Sequence, residues 1–473
     1  MAKNIRDEIV AKRQARVAAR GFSEGADVPR RRQVPIMPFM TTDGLICEVK
    51  RSSPSKGDIA PEMDAVAQAS VYLKAGARNL SVLTEPEGFG GSLDDLIQIK
   101  REYPRTAVLR KDFLFDTKDI DISWRAGADA VLLISGMLTE DRLHMLYHCA
   151  KRLGLEALVE VHDDDDLRKV AGIKPNLIGI NSRDLTTFRI DPLLPLRIKA
   201  KITWDARVVY ESGIHHPEQA DAVSAAGFDG LLVGESVVRD PSLARKIQDA
   251  MRNAIPARFW PEIAKRLNRD PYRPLIKICG LAREEDALLA ADLGADVLGF
   301  VFWSGSPRHA SPDLVRKLMD VDALKVGVVV TPPGSVEMEP AVRHLLEDGV
   351  LDALQLHGDE RPEDCAKLWP VNYKALRPAN VAELDAAKNL YRCPRILLDA
   401  AAKVPGGSGK RVPVDIIESW QRPLWLAGGI TSDNVARIAE ARRPELLDIA
   451  SGVEAEPGVK SPERMRKLFK ELM

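Results

Sequence analysis

The sequence has few cysteines and no long apolar run. Its five cysteines, among 473 residues, are scattered, odd in number and without a C-x-x-C spacing. A disulfide framework or a zinc site is therefore not expected, and a reducing cytoplasm is the expected compartment. The most apolar stretch, 287–303, is interrupted by Asp292 and Asp296. Because a membrane helix needs about 20 mostly apolar residues, no membrane span is expected.

Neither sign of charge prevails. The 68 lysines and arginines nearly balance the 69 aspartates and glutamates, which gives a formal net charge of −1. This balance argues against nucleic acid or an anionic membrane as a partner. Four of the first eight residues are charged and no apolar stretch follows them, so no signal peptide is expected. With 45% hydrophobic and 29% charged residues, the composition is ordinary for a soluble globular protein.

Short apolar, β-branched runs alternate with longer amphipathic stretches along the chain. The first half contains eight such runs: Leu45–Lys50, Leu80–Thr84, Ala107–Lys111, Ala130–Ile134, Ala157–Glu160, Leu177–Asn181, Val208–Glu211 and Gly230–Gly234. The second half contains another eight: Leu275–Cys279, Val297–Phe302, Lys325–Val330, Ala353–His357, Tyr373–Leu376, Arg395–Asp399, Leu424–Gly428 and Leu447–Ser451. Strands that alternate with helices imply parallel pairing and right-handed crossovers, and eight units fit a closed (β/α)₈ barrel better than an open sheet.

The sequence therefore predicts an α/β protein of two tandem (β/α)₈ TIM barrels, with a helical extension before the first. The sequence of this extension predicts a charged helix over Asn4–Arg20. We place the first domain at 1–255, a proline-bearing linker at 256–273 and the second domain at 274–473.

Polar residues end several apolar strands of the first predicted barrel. They are Glu48, Lys50, Lys111, Glu160, Asn181 and Glu211. Active sites of such barrels lie at the carboxyl ends of the strands, and burying an unpaired charge is expensive. A pocket that mixes carboxylates with ammonium groups supports general acid–base catalysis. Each residue taken alone is equally compatible with a structural ion pair at the barrel rim.

Small residues follow the seventh and eighth strands of the same barrel. The two segments are Ser212-Gly213 and Gly234-Glu235-Ser236. Backbone N–H groups at these two positions commonly bind phosphate, helped by a helix N-terminus. The pair of segments predicts a phosphorylated ligand.

These motifs resemble those of the indole-3-glycerol-phosphate synthases. The run EVKRSSPSKG, 48–57, is similar to the family signature E-x-K-R-x-S-P-S. Further support comes from SVLTEPEGFGGS at 81–92, LRKDF at 109–113, GINSRDL at 179–185 and ESGI at 211–214, and the resemblance covers roughly 3–253. It implies decarboxylative ring closure of 1-(o-carboxyphenylamino)-1-deoxyribulose 5-phosphate.

The resemblance also implies roles for individual residues. Lys111 would protonate the ketose carbonyl, Glu160 would donate or accept a proton in the dehydration, and Lys50 would hold the substrate carboxylate and the developing hydroxyl. Glu48 and Glu211 would orient the lysines and the substrate hydroxyls. The expected substrate contacts are Asn181 and Arg183, with Phe89 and Phe113 either flanking the aryl ring or serving only in the core or a loop. The expected phosphate ligands are Ser53, Ser212, Gly213, Gly234, Glu235 and Ser236.

The second predicted barrel carries its own set of strand-end motifs. Its first strand ends KICG, with Cys279. A cysteine at a strand end can act as a base once its pKa is lowered, although a lone cysteine is usually a buried small hydrophobe. Cys279 is accompanied by SGSPR at 304–308, QLHG at 355–358, LLD at 397–399, GGSG at 406–409, AGGI at 427–430 and SGVE at 451–454.

This second set resembles the phosphoribosylanthranilate isomerases over roughly 274–472. The resemblance implies an Amadori rearrangement of N-(5-phosphoribosyl)anthranilate to the ketose that the first barrel would consume. Asp399 would open the furanose ring as general acid, and Cys279, as thiolate, would take the proton from C2 of the imine. Arg308 would pair with the anthranilate carboxylate. Gln355 and His357 would shape the pocket, and the expected phosphate ligands are Gly428, Gly429, Asn434, Ser451 and Gly452.

Two departures from the family pattern and two alternative functions remain open. Val414 precedes Asp415 where relatives commonly carry an aromatic residue, and Ser461 stands where aspartate is frequent. The second barrel could instead be a histidine-pathway sugar-phosphate isomerase, which would use a pair of aspartates. One barrel could also be a non-catalytic ligand-binding domain.

We expect no cofactor and no metal, and we expect a monomer that acts on phosphorylated anthranilate sugars. The acidic run Asp163–Asp166 is better explained as a helix start, because acidic side chains there complement the helix dipole.

Overall fold

Each half of the chain closes eight parallel strands into a ring. The computed structural model describes residues 5–40, 44–54, 57–184, 189–401 and 409–472. The chain divides into two compact units, Met1–Pro256 and Ala257–Met473. Each unit holds one closed barrel in which neighbouring strands follow the order of the chain. The predicted fold class is confirmed, as are all sixteen strands to within two residues at either end.

The first barrel is built from strands of four to six residues. They are β1 (Leu45–Val49), β2 (Asn79–Leu83), β3 (Ala107–Lys111), β4 (Ala130–Ile134), β5 (Glu156–Val161), β6 (Leu177–Asn181), β7 (Arg207–Glu211) and β8 (Gly230–Val233). Its helices are α1 (Ile5–Arg20), α2 (Ala65–Lys74), α3 (Pro86–Phe89), α4 (Leu93–Glu102), α5 (Thr117–Ala126), α6 (Glu140–Arg152), α7 (Asp164–Val170), α8 (Leu194–Lys199), α9 (Pro217–Ala225), α10 (Glu235–Arg239) and α11 (Ser242–Asn253).

The strands are apolar on both faces because one face lines the barrel interior and the other contacts the helices. All five residues of β1 are buried, including the charged Glu48. The helices show one buried face each; α4, capped by Ser92, buries Leu93, Leu96 and Ile97. Asp163 caps α7 by accepting from the backbone N–H of Asp166 at 2.8 Å. The acidic run is therefore a helix start, as predicted.

Helix α1 is fixed to the carboxyl-end face of the first barrel by a buried arginine. The guanidinium of Arg13 is fully buried and donates to Asp112 at 2.9 Å and to Asp119 at 2.7 Å. Asp112 follows β3 directly, next to Lys111. The N-terminal extension thus lies over the end of the barrel where the strand-end side chains emerge.

The second barrel repeats the architecture with strands of three to six residues. They are β9 (Leu275–Cys279), β10 (Val297–Val301), β11 (Leu324–Val329), β12 (Ala353–Leu356), β13 (Asn372–Leu376), β14 (Ile396–Leu398), β15 (Trp425–Ala427) and β16 (Leu446–Ile449). Its helices are α12 (Phe259–Arg269), α13 (Glu284–Asp292), α14 (Pro312–Lys317), α15 (Pro340–Glu347), α16 (Pro362–Leu368), α17 (Val381–Ala387), α18 (Val414–Ser419), α19 (Val435–Arg442) and α20 (Pro462–Lys470). Ser461 caps α20, so the departure from aspartate keeps a side-chain cap. Within the described ranges, every helix is too short or too polar to span a bilayer.

The segment predicted as a linker, 256–273, contains α12, and all of it except Pro256 belongs to the second unit. Its Phe259 ring is stacked on Tyr373 at 5.9 Å, and Trp260 lies 5.8 Å from Trp425. Tyr373 and Trp425 stand near the starts of β13 and β15, so α12 covers the amino ends of these strands. The prolines suggested a loop, but Pro261 lies in the first turn of α12, where proline is tolerated.

The packing of α12 generates a stability prediction. Phe259→Ala removes a fully buried ring and should lower the free energy of unfolding of the second barrel by about 3–5 kcal/mol. Urea unfolding followed by hydrogen exchange of the β9–β16 amides measures this loss. Tyr272, which is 89% exposed, provides the matched control, and Tyr272→Ala should stay within about 0.5 kcal/mol. Equal effects of the two substitutions would show that α12 contributes no packing energy.

Candidate active sites

A pocket lies at the carboxyl ends of the strands of the first barrel. The predicted residues that line it are Glu48, Lys50, Ser53, Phe89, Lys111, Phe113, Glu160, Asn181, Arg183, Ser212, Gly213, Gly234 and Glu235. Helix α1 adds Ile9 to the wall. The rings of Phe89 and Phe113 are 6.3 Å apart and tilted by 35°, so two aromatic faces border the same space.

Two lysines and two glutamates are paired in this pocket. The Nζ atom of Lys111 is 2.9 Å from Oε2 of Glu211 and 3.7 Å from Oε2 of Glu48. The Nζ atom of Lys50 is 2.6 Å from Oε1 of Glu48. Glu211 lies behind Lys111 and is only 1% exposed. The four charges thus form one network that links β1, β3 and β7.

Glycines on neighbouring strands provide the room for these carboxylates. A Cβ atom at Gly179 would lie 2.0 Å from Oε1 of Glu211. A Cβ atom at Gly234 would lie 2.5 Å from Oε1 of Glu48 and 2.9 Å from Nζ of Lys50. A side chain at either position would displace one of these charged groups, quite apart from any phosphate that Gly234 contacts.

The segments after β7 and β8 present backbone to the pocket. Ser212 and Gly213 both have positive φ, of 70° and 78°, a conformation that glycine adopts without strain. The hydroxyl of Ser236 donates to the carbonyl of Ile214 at 2.9 Å. That hydroxyl links the two segments, and the phosphate contact of Ser236 stays a prediction.

A second pocket lies at the carboxyl ends of the strands of the second barrel. The predicted residues that line it are Cys279, Arg308, Gln355, His357, Asp399, Gly428, Gly429, Ser451 and Gly452. Asn434 lies behind the wall: its amide accepts from Thr431 N–H and donates to the carbonyl of Gly429, both at 2.9 Å. Asn434 therefore shapes the glycine loop, and its contact with phosphate stays a prediction. Residues 406–408 of the GGSG motif lie outside the described residues.

A chain of polar contacts crosses the floor of the second pocket. Lys277 Nζ is 2.6 Å from Asp448 and 2.8 Å from Oε1 of Gln355. The amide of Gln355 meets His357 Nδ1 at 2.8 Å, and His357 Nε2 is 3.3 Å from Asp399. The chain thus links the proposed acid to a buried ion pair.

Sequence reasoning missed three contributors to the second pocket. Asp448 and Trp303 line the pocket, and Lys277 lies fully buried beneath it. Two of them could have been recognised in the sequence. Lys277 is two residues before Cys279 and so shares its face of the strand, and Asp448 is a charged residue inside an apolar strand.

Arg308 is held by a carboxylate. Its Nε and Nη2 atoms donate to the two oxygens of Glu454 at 2.8 and 2.7 Å. Glu454 also accepts from Lys460 at 2.9 Å. The plane of the guanidinium at the pocket wall is therefore fixed before any ligand binds.

Two family models match the chain in tandem. One describes indole-3-glycerol phosphate synthase and matches residues 6–250. The other describes N-(5'phosphoribosyl)anthranilate (PRA) isomerase and matches residues 276–471. The chain belongs to both families, one in each barrel.

Two curated proteins and one solved structure are similar to the chain. The "Multifunctional tryptophan biosynthesis protein" of Schizosaccharomyces pombe is 30% identical over 87% of this chain and 57% of its own length. The "Tryptophan biosynthesis protein TrpCF" of Yersinia pestis is 30% identical over 90% of this chain and 84% of its own length. The crystal structure of phosphoribosyl anthranilate isomerase from Thermus thermophilus is 37% identical over 42% of this chain and 97% of its own, with a TM-score of 0.36.

The chain is shorter than several relatives. It spans 57% to 62% of the length of the first multifunctional proteins that it matches.

The electrostatics of the synthase-family barrel favour a protonated lysine. Burial alone would lower the pKa of Lys111, but the carboxylates of Glu211, Glu48 and Glu160 raise it above its ordinary value. Burial and the nearby charge of Glu160 raise the pKa of Glu211, although Lys111 opposes this. For Glu160 burial acts in the same direction, but the neighbouring His162 outweighs it and the pKa is lowered. The two buried glutamates therefore differ in their affinity for a proton.

The electrostatics of the isomerase-family barrel favour the thiol of Cys279. Burial and the carboxylate of Asp448 raise its pKa, and Lys277 and Lys460 only partly oppose this. The thiolate predicted from the sequence is thus the less stable form in this pocket, and Cys279 must lose a proton before it can act as a base. Among the residues that the structure describes, no group of three or more His, Cys, Asp or Glu is placed to hold a metal ion.

The room beside Glu211 generates a prediction. In Gly179→Ala the new methyl group must displace the Glu211 carboxylate, because a contact of 2.0 Å is impossible. A crystal structure of the variant should show Lys111 and Glu211 separated beyond about 3.5 Å, and overpacking should cost about 1–3 kcal/mol of stability. Gly88→Ala is the control, since a Cβ there meets no atom closer than 3.2 Å. An undisturbed pair in Gly179→Ala would contradict the argument.

Proposed function

We propose that the chain catalyses two consecutive reactions of tryptophan biosynthesis, the isomerisation in the second barrel and the ring closure in the first. One observation carries the proposal. In each barrel a single pocket combines side chains that can move protons with main-chain segments after the seventh and eighth strands that suit a phosphate. Family membership supports it, because the synthase model matches the first barrel and the isomerase model matches the second.

In the isomerase-family barrel we assign the two proton transfers to Asp399 and Cys279. Asp399 would give a proton to the furanose oxygen of N-(5-phosphoribosyl)anthranilate, which opens the ring to an imine. Cys279, once deprotonated, would take the proton from C2, and the enol relaxes to the ketose. An aldose–ketose exchange only moves protons, so an acid and a base suffice. Arg308, fixed by Glu454, would receive the anthranilate carboxylate.

In the synthase-family barrel Lys111 would act as the acid at the ketose carbonyl. Its raised pKa keeps it charged, and its place between Glu211 and Glu48 fixes its direction. The aryl carbon attacks the activated carbonyl carbon and the carboxylate leaves as CO₂. Loss of water then completes the indole, and Glu160 would transfer a proton in that step. Lys50, paired with Glu48, would hold the substrate carboxylate.

Phosphorylated anthranilate sugars are the proposed ligands of both pockets, with Asn181 and Arg183 as substrate contacts in the first. We further propose that the protein works in the cytoplasm. Its five cysteines are all free, and a free Cys279 is required by the isomerisation, which a reducing compartment protects.

Two single substitutions test the proposal, each with its own substrate. Lys111→Ala should reduce ring closure of the ketose phosphate by at least about 10²-fold, because it removes the general acid. The same variant should isomerise phosphoribosylanthranilate at the wild-type rate. Cys279→Ala should do the reverse. Consumption of phosphoribosylanthranilate reports the isomerisation, and formation of indole-3-glycerol phosphate from the ketose reports the ring closure; the two are followed separately by fluorescence and absorbance.

The two variants serve as controls for each other. Loss of both activities from one substitution would contradict independent sites. A wild-type protein that is inactive on phosphoribosylanthranilate but active on the histidine-pathway aminoaldose would favour the alternative isomerase. A barrel with no turnover in the wild-type protein would be the non-catalytic domain.

A further inference from the structure

His162 lies directly behind Glu160, and neither the motifs nor the pocket walls single it out. It follows β5 and is two residues beyond Glu160. Its Nε2 atom is 3.0 Å from Oε1 of Glu160, and its Nδ1 atom is 3.5 Å from Oδ2 of Asp166. The imidazole is only 13% exposed. A buried ring that joins two carboxylates needs an explanation beyond packing.

The second carboxylate is held in place independently of the ring. Asp166 belongs to α7, and its Oδ2 atom accepts the backbone N–H of His162 at 3.1 Å. Lys169, one turn further, is 3.7 Å from its Oδ1 atom. Asp166 is itself 3% exposed. The ring therefore has a fixed partner on the side away from the pocket.

Two carboxylates on opposite edges of one imidazole favour its doubly protonated form. Burial would lower the pKa of His162, but the hydrogen bonds and charges of Asp166 and Glu160 raise it to about 10. A ring protonated on both nitrogens would carry a positive charge at neutral pH. That charge lies against Glu160 and on the far side from the pocket.

A second buried glutamate competes with Glu160 for a proton. Glu211 is close enough to Glu160 for the charge of either to affect the other, and both interact with Lys111. Asn181, a neutral neighbour, is 3.5 Å from Oε1 of Glu160. Two like charges in one buried site are not both easily ionised. Of the two glutamates, His162 contacts Glu160 at 3.0 Å, whereas Lys111 donates to Glu211 at 2.9 Å.

We propose that His162 is a positioning residue that keeps Glu160 ionised beside the ion pair of Lys111 and Glu211. Glu160 then enters the dehydration as the base. It accepts the proton that the ring-closed intermediate loses, the electron pair left behind forms the new double bond, and the hydroxyl leaves as water with a proton from a pocket ammonium group. The inference deepens the proposed ring-closure function and rests on it.

The pH profile of ring closure tests the proposal. His162→Gln keeps a polar side chain but removes the charge, so the pKa of Glu160 should rise. An opposite charge at this distance shifts a carboxyl pKa by about 1–3 units. The acidic limb of kcat for the ketose should therefore move up by at least about one unit, while KM stays within about threefold. Asp166→Asn, which leaves the ring but weakens its charge, should give a smaller shift in the same direction.

The isomerisation in the same molecule is the internal control. Both variants should retain wild-type activity on phosphoribosylanthranilate, which shows that the chain is folded and confines the effect to the first barrel. His148→Gln, a substitution on α6, should leave the acidic limb of kcat for the ketose unchanged. An acidic limb that stays in place in His162→Gln would overturn the proposal.

A measurement without turnover separates this inference from the proposed function. Nitrogen-15 NMR of the full-length protein reports the protonation of each imidazole, and His162→Gln identifies the His162 signals. Both ring nitrogens of His162 should stay protonated up to about pH 8. A neutral ring at neutral pH would overturn the inference even if ring closure proceeds. If the wild-type protein closes no ring but His162 is charged, only the proposed function has failed.

Discussion

Buried ammonium groups paired with carboxylates organise both pockets. Lys111 is paired with Glu211 in the first barrel, and Lys277 is paired with Asp448 in the second. Taking a charge out of water costs several kcal/mol, and the cost is offset only when the partner geometry is good. Each pair therefore constrains the strands that carry it, and the reacting side chains beside it inherit that constraint. The chemistry proposed for each pocket depends on these two pairs.

The two ion pairs also restrict which residues can stand beside them. Gly179 and Gly234 leave space for the carboxylates in the first barrel. The second barrel uses the same device, because a Cβ atom at Gly299 would lie 2.8 Å from the sulfur of Cys279 and 3.0 Å from Lys277. In both barrels the room for a reacting group is provided by a strand that contributes no side chain there. Protein interiors are packed closely enough that such room must be built in.

Much of the fold could be predicted from the sequence, because the apolar runs and their spacing depend on local pattern alone. The strand-end residues could be predicted for the same reason, since charged residues at the ends of apolar runs can be recognised in the sequence itself. Helix α12 could not, because the prolines of 256–273 suggest a loop. The rings of Tyr373 and Trp425, on which α12 packs, become its partners only in the closed barrel. The contacts of Asn434, Ser236 and His162 could not be predicted either. Each depends on which partner the closed barrel brings near, and that partner lies on another element or across a turn.

The fate of the anthranilate carboxyl carbon tests the central claim most directly. The full-length protein would be supplied with phosphoribosylanthranilate labelled with carbon-13 in that carboxyl group and followed by NMR. If the side chains of both pockets transfer protons as proposed, the label passes through the ketose. It is then released completely as CO₂ while indole-3-glycerol phosphate accumulates. Label that remains in the starting compound, or that stops in the ketose, would contradict the account.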